Sequence, residues 1–199
     1  MLFRKLQYER TFIAKLQLSQ DDITRIKRQD ERFLMRLYHQ CFSLLMQVAV
    51  RYKNNREEQI TLVNNAFLKM VRFIDHFKVN SSFEAWMLAI IRNEIIDDYR
   101  RNHKKSSIQY TELVDDVRID DSALECLQEQ SPSALLRHLN ALPPATKVVF
   151  NLYALDDFSA KEISAQLDIS YETVKWHLKH ARKLLRVAIT QQNQHHEQK

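Results

Sequence analysis

Glycine is absent from all 199 residues of this sequence, whereas average usage of about 7 per cent would supply roughly 14. Without glycine the chain cannot form the phosphate-binding loop of nucleoside triphosphatases, a glycine-rich dinucleotide fingerprint or a nucleophile elbow. Large β-rich architectures are also disfavoured, because their tight turns use glycine. The absence therefore predicts an all-α fold with polar connections between the helices.

Cysteine and long hydrophobic runs are scarce as well. The two cysteines, Cys41 and Cys126, are far apart and lack a C-x-x-C spacing, so two reduced, non-catalytic thiols are expected. The N-terminus has no apolar run typical of a signal peptide. Apolar segments such as 85–91 are far shorter than the roughly 18 residues of a membrane helix. These features predict a cytoplasmic protein that does not insert into membranes.

Candidate metal ligands and catalytic groups are few. His177 and His180 are three residues apart in a predicted helix, but no carboxylate or thiol joins them in the pattern of a closed metal site. Asp97 and Asp98 are adjacent, so their side chains point apart and do not form a paired acid-base site. No metal, cofactor or catalytic residue is therefore expected.

Charge is distributed unevenly around a net value of +5. Residues 1–105 hold 20 Lys and Arg against 12 Asp and Glu, and residues 142–199 hold 8 against 6. Between them, residues 106–141 hold 2 against 7. Two basic blocks joined by an acidic connector indicate two domains on a polyanion, and an ordinary solvated surface is the alternative.

Hydrophobic periodicity divides the chain into two small helical domains joined by an acidic linker. Helical patterns fill the first block, the acidic stretch has no period, and Ser131-Pro132 marks the start of a second helical set. The predicted organisation is an N-terminal extension, a helical domain, an acidic linker, a second helical domain and a disordered tail, at residues 1–20, 21–105, 106–131, 132–190 and 191–199.

One helix, predicted over 81–101, carries the strongest pattern of the first domain. Ser81 and Glu84 have the spacing of a capping box. One face, predicted to pack inward, holds Glu84, Leu88, Ile91, Ile95 and Tyr99. The opposite face holds Trp86, Ile90, Asn93, Asp97 and Arg100 or Arg101. An aromatic ring, an amide and guanidinium groups in this order suit a nucleic-acid strand; a core helix ending in solvated charge is the alternative.

The second domain contains a predicted helix-turn-helix over 159–186. Ser159 and Glu162 have capping-box spacing, Asp168 occupies a turn that needs positive φ, and Ser170 caps a last helix to about Ile189. The exposed face of that helix is predicted to hold Glu172, Lys175, Trp176, Lys179 and Lys183. Its lysines can reach phosphates or base edges in a major groove, and an ordinary helical hairpin is the alternative.

Two segments, FLKMVRFIDHFKVNSSFEAWMLAIIRNEIIDDYRR and LPPATKVVFNLYALDDFSAKEISAQLDISYETVKWHLKHARKLL, resemble the second and fourth domains of sigma factors of the extracytoplasmic-function (ECF) group. The resemblance covers roughly residues 21–190. It implies a bacterial, non-enzymatic initiation factor that binds promoter DNA and core RNA polymerase, at the β′ clamp and the β flap, while its acidic linker threads the polymerase. An anti-sigma factor and an accessory DNA-targeting protein are further candidate partners.

The resemblance also implies roles for individual positions. Residues implied in binding the minus-ten element are Lys78, Val79, Asn80, Ser81, Trp86, Ile90, Asn93, Asp97, Arg100, Arg101 and Lys104. Residues implied at the minus-thirty-five element are Ser170, Tyr171, Glu172, Thr173, Lys175, Trp176, Lys179, His180 and Lys183. Residues implied in binding core polymerase are Leu62, Val63, Asn64, Asn65 and Phe67.

Three segments depart from the pattern of the ECF group. In EEQITLVNNAF, the residues Ile60, Thr61, Asn64 and Asn65 stand where acids or glutamine are typical. The loop KVNSS and the turn at Asp168 both lack a usual glycine. The first departure predicts a weakly charged polymerase-binding helix. A matching clamp surface on the polymerase, added contacts from residues 1–20 or a recruiting partner would compensate.

Two other functions remain as alternatives. The first is a DNA-binding regulator that uses only the helix-turn-helix, with the N-terminal domain as a protein-interaction module; co-purification with core polymerase would separate it from a sigma factor. The second is a helical nucleic-acid-processing enzyme, disfavoured because no catalytic or metal cluster is present in the sequence. Metal-dependent cleavage of DNA would support it.

Overall fold

Helices are the only regular structure among the residues that the computed structural model describes, 16–103 and 131–197. The first range contains α1 (Gln20–Lys27), α2 (Glu31–Tyr52), α3 (Arg56–Arg72), a 3-10 turn (Ile74–His76) and α4 (Phe83–His103). The second contains α5 (Pro132–Asn140), α6 (Pro144–Ala154), α7 (Ala160–Leu167) and α8 (Tyr171–Glu197). No described helix is both long and apolar enough to cross a membrane. The all-α prediction is confirmed.

The chain divides into two compact units, with the boundary between Asp98 and Tyr99 near the end of α4. The predicted domain boundary at residue 105 lies outside the described residues. So do residues 1–15 of the predicted extension and the predicted linker up to residue 130. The predicted domain limits therefore stay predictions.

Apolar side chains from α1, α2, α3 and α4 are buried in the core of the first unit, where α2 packs against α3. They include Ile26, Leu45, Met70 and Ile91, one from each helix. Cys41 on α2 is completely buried, and this burial raises the pKa of its thiol to about 12. A thiol that stays protonated is a poor nucleophile. Cys126 lies outside the described residues.

The second unit is built around α8, against which α5, α6 and α7 all pack. Leu139, Leu152, Ile163 and Leu178 are fully buried, one from each of its helices. At the start of α7, Ser159 and Glu162 form the predicted capping box. The Glu162 N–H donates to the Ser159 hydroxyl, and the Ser159 N–H donates to the Glu162 carboxylate. Hydrogen bonds from Ser159 hold the pKa of the Glu162 carboxyl below its usual value.

Three described residues occupy the left-handed region that glycine would normally fill. The φ angles are 56° at Gln29, 59° at Asp157 and 56° at Asp168. Asp168 ends α7, as predicted for the turn of the helix-turn-helix. Each non-glycine residue in this region costs about 1–2 kcal/mol, and aspartate tolerates it better than most. The chain thus forms its tight turns without glycine by accepting modest backbone strain.

The start of α4 differs from the predicted capping box by one residue. The Ala85 N–H donates to the Ser82 hydroxyl at 3.2 Å, so Ser82 caps the helix. The Ser81 hydroxyl instead donates to the Lys78 carbonyl at 2.6 Å and closes the preceding turn. The predicted cap at Ser81 with Glu84 is wrong, because adjacent serines compete for one capping position and the turn engages the first.

The predicted faces of α4 are partly wrong as well. Ile91, Ile95 and Tyr99 are buried as predicted, but Leu88 and Glu84 are only half-buried. The buried face also includes Phe83, Met87, Glu94 and Ile96. It is therefore wider than the predicted stripe and includes a carboxylate.

The last helix continues beyond its predicted end at Ile189. It reaches Glu197, and the predicted tail is helical over 191–197. The sequence of this stretch contains no proline or glycine, and it includes glutamines and a glutamate, which are good helix formers. The predicted disorder of the tail is therefore wrong over these residues.

Candidate nucleic-acid interface

A polar network joins α3 to α4 across the core of the first unit. The Glu94 carboxylate on α4 is 2 % exposed. The Lys69 ammonium on α3 lies 2.5 Å from Glu94 Oε2 and 2.8 Å from Asp97 Oδ2. The Asn65 amide donates to Glu94 Oε1 at 3.3 Å. A buried carboxylate is tolerated only when it is paired and hydrogen-bonded. Helix α3 provides both partners of Glu94: Lys69 forms the ion pair and Asn65 donates the hydrogen bond.

The protonation of Lys69 reflects its two carboxylate partners. Partial burial is the largest single influence and lowers its pKa, but hydrogen bonds and charge attraction from Asp97 and Glu94 together raise the pKa above its usual value. Lys69 is therefore a permanent cation at neutral pH. A second ion pair, Lys53 to Asp98 at 2.6 Å, ties the end of α2 to α4.

This network engages two residues that the sequence assigned elsewhere. Asp97 was assigned to promoter DNA, yet its carboxylate is paired with Lys69. Asn65 was assigned to polymerase, yet its amide bonds to Glu94. Sequence reasoning missed Lys69 and Glu94 altogether. The available signal was the placement of Glu94 between the buried Ile91 and Ile95, where a carboxylate requires a partner.

The loop before α4 presents its side chains to solvent. Lys78, Val79, Asn80 and Ser81 are all exposed, and they are the residues assigned to the minus-ten element there. The Ser81 N–H and hydroxyl both donate to the Lys78 carbonyl, so this glycine-free loop closes as a tight turn. A closed turn with outward side chains can contact a nucleic-acid base.

The assigned side chains of α4 differ in their exposure. Trp86 is half-buried because its ring packs against Phe77 and Phe83, with centroids 5.3 and 6.0 Å away. Ile90 is also half-buried, whereas Asn93 is exposed. Further along the helix, Arg100 is half-buried, Arg101 is exposed and Lys104 lies outside the described residues. Asn93 and Arg101 are therefore the exposed residues among the assigned and described side chains of α4.

The residues assigned to polymerase belong mainly to the core of the first unit. Leu62, Val63 and Phe67 are buried. Asn64 is exposed and accepts a hydrogen bond from the Tyr38 hydroxyl at 2.7 Å. The surface of α3 at this point therefore offers a neutral amide rather than a carboxylate.

The helix-turn-helix of the second unit consists of α7, the turn at Asp168, and α8. The Ser170 hydroxyl caps α8 by accepting from the Thr173 N–H at 3.0 Å. Tyr171 is exposed, and the Lys175 ammonium lies 5.6 Å from its ring centroid. Lys175 also lies 3.6 Å from the Glu172 carboxylate. The first turn of α8 therefore places one aromatic ring beside a cation that is already partly neutralised.

The middle of α8 separates the two histidines. The Trp176 ring stacks on His180, with centroids 4.8 Å apart and planes 17° apart. His177 is buried instead, with its Nδ1 at 3.0 Å from the Thr146 hydroxyl on α6. Lys179 and Lys183 are exposed on the assigned face. Among the residues that the structure describes, no group of three or more His, Cys, Asp and Glu could hold a metal ion.

Comparison with known proteins identifies both units. Residues 37–105 match the family model "Sigma-70 region 2", and residues 133–185 match "Sigma-70, region 4". The chain belongs to the sigma-70 family. The two matches appear in the order expected of a sigma factor and together cover more than half of the sequence.

Two curated relatives place this sigma factor near the ECF group. The ECF RNA polymerase sigma factor SigW of Bacillus subtilis is 25% identical over 153 residues, which cover 71% of this chain and 81% of SigW. SigE of Mycolicibacterium smegmatis is 25% identical over 152 residues, covering 75% of this chain and 59% of SigE. The resemblance stated from the sequence is confirmed, and the protein is a sigma factor for transcription initiation.

A solved structure is also similar. It is a complex of the sigma factor RpoE with the anti-sigma factor NepR from Bartonella quintana. Its sequence identity is 19% and its TM-score 0.45, and the match covers 82% of this chain and 98% of the other.

The network between α3 and α4 predicts a pair of stability effects. Lys69→Met should lower the free energy of unfolding by about 2–3 kcal/mol, because Glu94 would lose the cation that balances its buried charge. Adding Glu94→Gln should recover at least half of that loss, since glutamine keeps the bond to Asn65 without the charge. Urea denaturation of the parent, Lys69→Met, Glu94→Gln and the double variant measures both effects. If the loss in the double variant equals the sum of the losses in the two single variants, the pairing is contradicted.

Proposed function

We propose that this sigma factor uses the loop 78–81 and α4 at the minus-ten element, α8 at the minus-thirty-five element, and α3 at the polymerase clamp. One observation supports the proposal most strongly. The polar and cationic groups assigned to DNA that remain accessible include Asn93, Arg101, Lys179 and Lys183. Their positions on α4 and α8 fall within the two regions that match the family.

At the minus-ten element, the loop and α4 act on separated strands. Trp86 is anchored by Phe77 and Phe83, which leaves part of its ring accessible beside the strand. The Asn93 amide offers a donor and an acceptor to a base edge, while Arg101 meets phosphate. The exposed turn 78–81 receives an extruded base. The Asp97 carboxylate is turned to Lys69 at 2.8 Å, so it is held by an ion pair within the protein and is not a strand-binding group.

At the minus-thirty-five element, α8 enters the major groove of duplex DNA. Lys179 and Lys183 contact phosphates, and the exposed Tyr171 and the half-buried Thr173 at its N-terminal turn approach base edges. Trp176 is held against His180 and fills space along the groove rather than stacking on a base. This geometry suits recognition of intact duplex, in contrast to the strand binding of α4.

The factor performs no catalysis itself, acts in the bacterial cytoplasm, and binds the polymerase clamp through α3 and the β flap through its second unit. Docking gains little from charge at this point of α3, because the exposed side chain there is Asn64 rather than an acid. Because electrostatic steering of the factor to polymerase is weak, we propose that an accessory DNA-targeting protein assists its recruitment. An anti-sigma factor is a second proposed partner. Their capture from cells with the purified factor would identify them.

Removal of the Lys179 ammonium should weaken duplex binding. In Lys179→Ala, we expect the slope of log affinity against log salt to fall by about one unit, with sequence preference nearly unchanged. Arg137→Ala, which removes an exposed cation from α5, is the matched control. Fluorescence anisotropy with a promoter duplex across a salt series measures both. A wild-type slope in Lys179→Ala would remove this lysine from the interface.

Loss of the Asn93 amide should impair promoter opening. Asn93→Ala removes an exposed side chain, so the fold should tolerate it within about 0.5 kcal/mol, while opening by the holoenzyme slows and base preference relaxes. Gln47→Ala, an exposed amide on α2, is the control. Permanganate footprinting follows strand separation. Unchanged opening together with unchanged base preference would contradict the role of α4 in strand recognition.

Restoring an acid to α3 should increase the charge dependence of docking. Asn64→Asp keeps an oxygen that accepts from the Tyr38 hydroxyl, so the fold is preserved while one negative charge is added. Association with core polymerase should become faster at low salt and more sensitive to salt. Gln47→Asp adds the same charge to α2 as a control. If both variants behave alike, the surface of Asn64 does not face the clamp. Strong salt dependence of the parent would contradict the weak charge proposed for docking.

A further inference from the structure

The aromatic ring of Phe73 is partly exposed to solvent at the end of α3. Phe73 follows the last residue of α3 and is 42% exposed. The next two apolar side chains along the chain, Ile74 and Phe77, are buried and provide the packing of the 3-10 turn. The fold therefore does not use the full ring of Phe73. Its exposed part is available to a ligand.

Positively charged and flat side chains surround this ring. The Arg72 guanidinium carbon lies 5.6 Å from the ring centroid, and the His76 ring centroid lies 6.0 Å away. Both side chains are exposed. The sole acid within residues 72–82 is Asp75, and it is ion-paired with Lys27 on α1. The local surface thus combines an aromatic face with unbalanced positive charge.

This composition fits a nucleic-acid strand better than a protein surface. Bases stack on aromatic rings and on guanidinium planes, while the guanidinium also meets phosphate. A single ring among charged groups is too small for a protein-binding patch, which needs a contiguous apolar area. Base faces are accessible only in unpaired strands, so the ligand is single-stranded. Five residues after Phe73 the chain reaches Lys78, the first residue of the loop proposed to receive an extruded base.

We propose that Phe73, with Arg72 and His76, forms a stacking site for an unpaired base of the displaced promoter strand. The proposal rests on the function proposed above and extends the strand-binding surface backward from the loop 78–81 to the end of α3. The Phe73 ring stacks on the base and the Arg72 guanidinium contacts its phosphate. Stacking is tolerant of base identity, so this site contributes affinity and positioning rather than sequence preference.

The test uses the complete factor bound to core polymerase. The probe is single-stranded oligo-dA containing 2-aminopurine, whose fluorescence falls when the base stacks. Phe73→Leu removes the aromatic face but keeps an apolar side chain, and Phe73→Trp keeps a stacking surface. Met35→Ala is the matched control, because Met35 is an apolar side chain that is 61% exposed on α2, outside the proposed interfaces.

Phe73→Leu should weaken oligonucleotide binding about tenfold and reverse the quenching, while Phe73→Trp and Met35→Ala behave as the parent. Arg72→Gln should reduce the salt slope by about 0.7 units, the value for one phosphate of a single strand. Unchanged oligonucleotide binding in Phe73→Leu would overturn the proposal. So would an equal loss of affinity for duplex DNA, or weaker binding to core polymerase without DNA.

Failure here is distinguishable from failure of the proposed function. If Asn93→Ala impairs opening while Phe73→Leu binds normally, α4 keeps its role and the stacking site alone is wrong. If Phe73→Leu loses the strand while Asn93→Ala is normal, the stacking site stands without base recognition by α4.

Discussion

The carboxylate of Glu94 imposes the constraint around which the first unit is arranged. It lies between Ile91 and Ile95 on the buried face of α4, where an unpaired charge would cost several kcal/mol. Lys69 and Asn65 on α3 both reach it, and Lys69 also holds Asp97. These contacts tie α3 to α4 inside the first unit. The helix proposed for polymerase docking and the helix proposed for strand recognition are therefore held as a pair.

The same network accounts for the amide at position 65 of α3, the helix proposed for polymerase docking. A carboxylate there would replace the donor that Glu94 requires and would place two like charges in one partly buried site. Asn64 is under no such constraint, since it faces outward and only accepts from Tyr38. The fold thus requires an uncharged residue at position 65, whereas nothing in the fold requires one at position 64. The reduced charge of the proposed docking surface therefore follows partly from the internal chemistry of this domain.

Tight turns without glycine are the second physical theme. Asp168, Asp157 and Gln29 adopt positive φ at a modest cost, and the loop before α4 closes through the Ser81 hydroxyl instead of a glycine. Side chains at every turn position narrow the accessible backbone conformations relative to glycine. The loop thus presents Lys78 and Val79 from a defined turn. A stacking ring at Phe73 would extend this same ordered surface.

The sequence by itself determined the helical fold, most helix positions, the capping box at Ser159 and the left-handed turn at Asp168, because these depend on local periodicity, capping and backbone sterics. Its two motifs also determined the family. Tertiary structure alone decided which polar groups are engaged: Asp97 and Asn65 in the network, Trp86 against Phe77, and His177 against Thr146. Helical spacing places a side chain on a face, but only the packing of other helices decides whether that face meets solvent, an apolar core or a charge. The pairing of Glu94 required a residue 25 positions away on another helix, which no local pattern records.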